Sequence, residues 1–113
     1  MLHSFLTDLF LSAFAQDTAI APLLSRDGAL SLSFEGGLFG PGACTVSVPA
    51  GMESAVAACL QALETHARVP LFVGVAAMGQ PTGLSRVDAR LRLGPARLAP
   101  GQVHMPFFLE LGA

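Results

Sequence analysis

The sequence predicts an α+β domain: two helices with a mostly antiparallel five-stranded sheet, in the order α-β-β-α-β-β-β. Three observations carry that expectation. Stretches 2–15 and 52–67 repeat apolar residues at the i, i+3, i+4 spacing of one helical face. Stretches near 29–35, 43–48, 86–93 and 102–111 alternate apolar with polar residues, as strands with one wet face do. Finally, the 113 residues are 52% apolar and only 12% charged, so this single domain's length must collapse rather than stay disordered.

The first helix places Leu2, Phe5, Leu6, Leu9, Phe10 and Ala13 on one stripe, which Leu11 and Phe14 widen. A helix this apolar packs deeply or meets a second surface. Asp17-Thr18 and then Pro22 end it, because a proline disfavours helix in the residue before it. Ala13-Phe14-Ala15 has the look of a signal-peptidase site, yet no Lys or Arg precedes it and Asp8 interrupts the apolar stretch. The segment therefore reads as a helix of a cytoplasmic protein.

Arg26-Asp27-Gly28 is a turn into a strand with Leu30, Leu32 and Phe34 inward and Ser31, Ser33 and Glu35 outward. The glycine-rich loop 36–42 leads to a strand with Cys44, Val46 and Val48 on one side, which predicts a hairpin. The second helix, 52–67, carries Met52, Val56, Cys59, Leu60, Leu63 and Ala67 on its apolar stripe. Residues 69–77 are continuously apolar, as a strand covered on both faces is, and Pro70 fits only at its start. After a turn at 79–83, Val87, Ala89, Leu91 and Leu93 face in while Arg86, Asp88, Arg90 and Arg92 face out. A Pro/Gly loop, 94–101, precedes a last strand bearing Val103, Met105, Phe107, Leu109 and Leu111.

Composition excludes several function classes. A net charge of −2, with six Arg and no Lys, argues against nucleic-acid binding, which needs clustered positive charge. No uncharged apolar run reaches the roughly 18 residues of a membrane span. His3, His66 and His104 form no i, i+4 metal pair, and no Cys-x-x-Cys occurs, so no metal or other cofactor is expected. No nucleophile elbow and no close carboxylate pair is present, so no catalytic residue is assigned and the chain reads as no enzyme. Cys44 and Cys59 sit among apolar neighbours and read as buried free thiols. The loop 36–42 joins two strands instead of opening a helix, so it lacks the dipole that attracts phosphate. Lys, Asn, Trp and Tyr are missing and Ile occurs once, at Ile20, which points to a GC-rich, bacterial genome.

The helix 52–67, then Arg68-Val69-Pro70-Leu71-Phe72-Val73-Gly74-Val75, a turn and Arg86-Val87-Asp88-Ala89-Arg90-Leu91-Arg92-Leu93, resembles the central part of small class I type III secretion chaperones. The apolar first helix and the Leu-x-Leu-x-Phe strand at 30–34 extend the resemblance over residues 1–93. It implies a homodimeric α+β protein without enzymatic activity, which holds a secreted protein's segment extended on its surface until export. Such chaperones usually close with a third helix and are more acidic, whereas residues 102–111 here read as a strand.

Surplus apolar surface in so small a domain also points to self-association or a partner groove. The expected client-binding residues are Phe5, Leu9, Leu11 and Phe14 on the first helix and Leu38-Phe39 at the loop tip. Arg86, Arg90 and Arg92 form a row suited to an acidic protein segment. Val73, Val75, Val87 and Leu91 are the expected dimer contacts. Two other classes stand beside this reading: a self-assembling structural or adaptor subunit, and a small-ligand-binding or enzymatic domain.

Overall fold

The computed structural model describes residues 2–38, 40–77 and 80–111, leaving the side chains of 72–77, 80–82, 84 and 85 outside that description. Helix α1 (Leu2–Ala15) and a single turn, α2 (Ala21–Leu24), precede the hairpin β1 (Ser31–Gly36) and β2 (Gly42–Ser47). Helix α3 (Glu53–Glu64) follows, then β3 (Arg68–Ala77), β4 (Gln80–Leu93), the short β5 (Arg97–Ala99) and β6 (Gln102–Glu110). The fold is α+β, as the sequence predicts. Two elements go beyond that prediction. Pro22 sits at the start of α2, where its missing N–H costs nothing, and β5 adds a short strand beside β6.

The sheet runs β1-β2-β6-β4-β3, every neighbouring pair antiparallel. The last strand therefore lies in the middle, joining the β1–β2 hairpin to the β3–β4 hairpin. Its alternation is strict: Val103, Met105 and Phe107 are buried, while Gln102, His104, Pro106 and Phe108 are exposed on the other face. The inward residues of β2, β4 and β6 share one core with Leu6, Phe10 and Phe14 of α1 and Val56, Ala57 and Leu60 of α3.

Two carboxylates fasten α3 to the sheet. Glu53 accepts hydrogen bonds from the backbone N–H of Gly51 (2.8 Å) and of Gly101 (2.7 Å), tying the helix start to the β5–β6 turn. Those donors hold its carboxyl below the usual carboxylate range, the Gly101 bond acting most strongly. At the other end, Glu64 accepts from the backbone N–H of Leu93, where β4 finishes.

Strand β4 outruns the sheet. Among the described residues, only Arg90–Leu93 pair with β6, whereas the register from Gln80 to Ala89 is shared with β3 alone. The β3–β4 hairpin thus leaves the body as a two-stranded arm. The molecule measures 56 × 25 × 23 Å, with a radius of gyration of 15.9 Å, against about 13 Å for a compact chain of this length. The alternation legible in the sequence begins only at Arg86 because Pro81 and Gly83 interrupt it, although the strand starts at Gln80.

Two expected contact residues, one for a client and one for a second copy, prove to be core. Phe14 is fully buried, because Leu6, Phe10 and Phe14 recur every fourth residue and form one row under the helix. Leu91 is fully buried as well, paired with Leu109 on the helix-covered face. Neither is available to a client or a second copy without unfolding.

Candidate functional site

Exposed Leu38 and Phe108 and two shallow grooves gather around the β1–β2 loop. Phe34 of β1 meets Phe10 of α1 edge-on at 5.0 Å and Phe107 of β6 edge-on at 6.0 Å, an arrangement that links three elements. The Phe107 ring lies directly under the loop glycines. A β-carbon at Gly37, which has φ +96°, would stand 2.4 Å from that ring, and Gly42 is equally close-packed. Only glycine fits either position. His3 caps the arrangement, its Nε2 2.9 Å from the Gly36 carbonyl oxygen and its ring tilted over Phe34.

With its glycines pressed onto Phe107, the loop lifts Leu38 away from the body, and Leu38 is 52% exposed. It separates two shallow grooves. One, of about 550 Å³, runs between Leu2 and His3 of α1 and residues Gly36, Gly37, Leu38, Gly40 and Pro41 of the loop. The other, of about 400 Å³, lies between the loop and Phe108 and Leu109 of β6. Strand β1 ends the sheet beside this region, with no strand on its outer backbone edge among the described residues, and such an edge is a template for an added strand.

The residues expected at a binding surface do not form one patch. Phe5 is 36% exposed on α1, while Leu9 and Leu11 are half-buried against the core. Leu38 is exposed in the loop, and Phe39 lies outside the described residues. The arginine row occupies the sheet face turned away from the helices, where Arg92 stands directly across from Phe108. There Arg86 pairs with Asp88 at 3.0 Å and Arg92 with Glu110 at 3.4 Å, both well exposed. Such surface pairs contribute little to stability. Arg90 is exposed and has no ion-pair partner among the described residues.

Of the expected dimer contacts, Val87 is half-buried on the arm, and the side chains of Val73 and Val75 lie outside the described ones. Phe108, at 48% exposure, is a surface residue that the reading of the sequence did not single out. Its signal was present: of two consecutive phenylalanines in a strictly alternating strand, one must point outward.

Both thiols are free. Cys44 is buried on β2, and desolvation pushes it up to about 12. Cys59, half-buried, donates to the Ala13 carbonyl across the α1–α3 contact at 3.7 Å and is also raised, by burial first and then by Asp17. Neither is poised as a thiolate, the form that attacks carbon or binds metal. Among the described residues, no group of three or more His, Cys, Asp or Glu side chains is placed to hold a metal ion, and no helix is long and apolar enough to cross a membrane. Compared with family models, curated proteins and solved structures, the chain matches none.

Proposed function

We propose that this chain is a non-enzymatic protein-binding module, a bacterial chaperone of the cytoplasm that works as a homodimer. It holds an extended segment of a client protein, in the manner of the secretion chaperones its sequence resembles. The observation that carries the reading is the open β1 edge beside the two grooves flanking Leu38. An extended segment recognised by strand addition takes its affinity from main-chain hydrogen bonds and its specificity from pockets for alternate side chains. The edge supplies the first, and the groove between Leu2 and Leu38 at the end of that strand supplies the second; Phe108, two strands inward on β6, offers a further apolar contact beyond the loop. Leu38 and Phe108 are free to take part because the fold does not need them: one stands on a loop, the other on the uncovered sheet face.

The test is purification of the tagged chain from its native bacterium, followed by limited proteolysis of whatever comes with it. A stoichiometric partner with one short segment protected is the expected result. Leu38→Asp together with Phe108→Asp should reduce its recovery at least tenfold while the melting temperature stays within a few degrees of wild type. Recovery of the chain alone would instead support the self-assembling subunit and end the chaperone reading.

A further inference from the structure

The two faces of the sheet differ in charge. Arg90 and Arg92 stand across from Glu110 and Phe108, on the face turned away from the helices. Arg86 follows on the same side of β4, Arg68 of β3 lies across from Arg90, and Arg97 of β5 lies across from His104. Five of the six arginines therefore share this face, against three of the eight acids, Glu35, Asp88 and Glu110. On the helix side, Glu53 and Glu64 are occupied by backbone N–H groups. The chain is net negative, but this face is positive.

Within the face, the nearby acids are already engaged. Asp88 holds Arg86 at 3.0 Å, and Glu110 turns to Arg92 at 3.4 Å. That leaves Arg68 and Arg90, register partners on adjacent strands and both exposed. Opposed residues in a sheet have β-carbons about 4.5–5.5 Å apart, and like charges in that position are destabilising. All eight acidic side chains are described, and none lies within ion-pair distance of either guanidinium. Arg68 gives one N–H to the Ala67 carbonyl oxygen at 3.2 Å, a bond to a neutral group that leaves the charge unanswered.

We propose that the Arg68–Arg90 pair anchors a carboxylate from an acidic segment of a partner protein. A guanidinium offers its N–H groups in a fork that matches a carboxylate, and these charge-assisted bonds are stronger than neutral ones. One carboxylate between the two forks replaces a repulsion with two attractions. The surface is a face of the sheet and not its β1 edge, so the inference goes beyond the proposed function and does not rest on it. Spacing along the chain picks out Arg86, Arg90 and Arg92 alone; Arg68 joins them only through the β3–β4 register.

A polypeptide suits the pair better than other polyanions do. Asp88 lies two residues from Arg90 on the same side of β4, and Glu110 lies directly across from Arg90. A nucleic-acid strand or an anionic lipid surface brings many phosphates at once, and some of them meet these two acids. Binding of that kind also draws on many basic contacts together, which a chain of net charge −2 does not supply. A polypeptide can set one carboxylate on Arg68 and Arg90 and place uncharged residues over Asp88 and Glu110.

Fluorescence anisotropy of a labelled peptide of alternating glutamate and serine, titrated with the intact chain, tests this. Binding should appear in roughly 0.01 M salt, where charges act over about 30 Å, and weaken toward about 0.15 M, where they act over about 8 Å. Arg90→Gln should lower the affinity at least threefold, and Arg68→Gln with Arg90→Gln at least tenfold. Arg26→Gln removes the same single charge from the turn before β1 and should change it less than twofold. Arg90→Gln should also melt no lower than wild type, because it removes a repulsion and no ion pair. No binding by wild type, or an equal loss from Arg26→Gln, would overturn the proposal. So would tighter binding of oligo-dT or of phosphatidylserine vesicles than of the peptide, or a fall of several degrees in the Arg90→Gln melt. The peptide is offered without any client, so none of these outcomes bears on the reading of the β1 edge.

Discussion

Phe5 and Phe14 lie on the same helix and are the same residue, but the fold treats them oppositely, which makes them a paired experiment. Phe14 is fully buried among Leu6, Phe10 and the core residues of α3. Truncation to alanine removes its transfer free energy and leaves a cavity, about 3–5 kcal/mol together. Phe5 is 36% exposed and is not packed on the core cluster. Its truncation should cost under about 1 kcal/mol, the ordinary range of a surface change. For a domain of this size, whose total stability is on the order of 5–15 kcal/mol, Phe14→Ala should lower the melting temperature by roughly 12 °C or more at about 4 °C per kcal/mol. Urea melts of wild type and both variants, at one fixed protein concentration because dimerisation shifts apparent stability, give the two costs directly. Equal losses, or a larger one at Phe5, would refute the assignment of Phe14 to the core and return it to the binding surface.

Gly37→Ala should destabilise by several kcal/mol, since a positive φ and the Phe107 ring both exclude a β-carbon; a thermal melt within a degree of wild type would contradict that packing. The depressed Glu53 carboxyl stabilises the fold while it is ionised. Stability should therefore fall as pH drops through and below the ordinary carboxylate range, and Glu53→Gln should flatten that part of the pH profile measured by chemical melts. Cys44, pushed up to about 12, should resist iodoacetamide at pH 8 in the native state and react on denaturation, as mass spectrometry of the alkylated chain would register. Cys44→Ser should lower stability by about 1–3 kcal/mol, the cost of a buried hydroxyl without an assured partner, measured in the same urea melts.

The parts of the fold legible in the sequence are those with a period long enough to count. The helix stripes and the alternation at Leu30, Leu32 and Phe34, or at Val103, Met105 and Phe107, each report one wet and one dry face. Helix α2 is four residues and β5 is three, barely more than one period of either pattern, so neither leaves a trace. The order of strands was not legible, because which edges meet depends on loops and helix packing rather than on the strands' own patterns. Phe14 was misjudged for a related reason. A broad apolar stripe says that a helix is buried without saying which row lies underneath, and here the underside is the row through Leu6 and Phe10. For the candidate site, Leu38 was legible from the Gly/Pro loop that carries it. The grooves on either side of it were not, since Leu2 meets Leu38 only when α1 packs beside the hairpin, and Phe108 only when β6 pairs with β2.

That crossing also sets the order of events in folding. Thr45 and His104, which share a hydrogen bond across β2 and β6, are separated by 59 positions along the chain. The two hairpins on either side close over short loops, so each can form within microseconds. Neither gains a common partner until the final strand finds its slot. The rate of acquiring the native state should therefore follow the search by that strand, placing the protein among the slower, high-contact-order folders. During the delay both hairpins have open edges on the sides that β6 will later occupy. The stretch most exposed to premature pairing with another chain is then the apolar β3–β4 ribbon, so concentration during refolding selects between orderly association and aggregation.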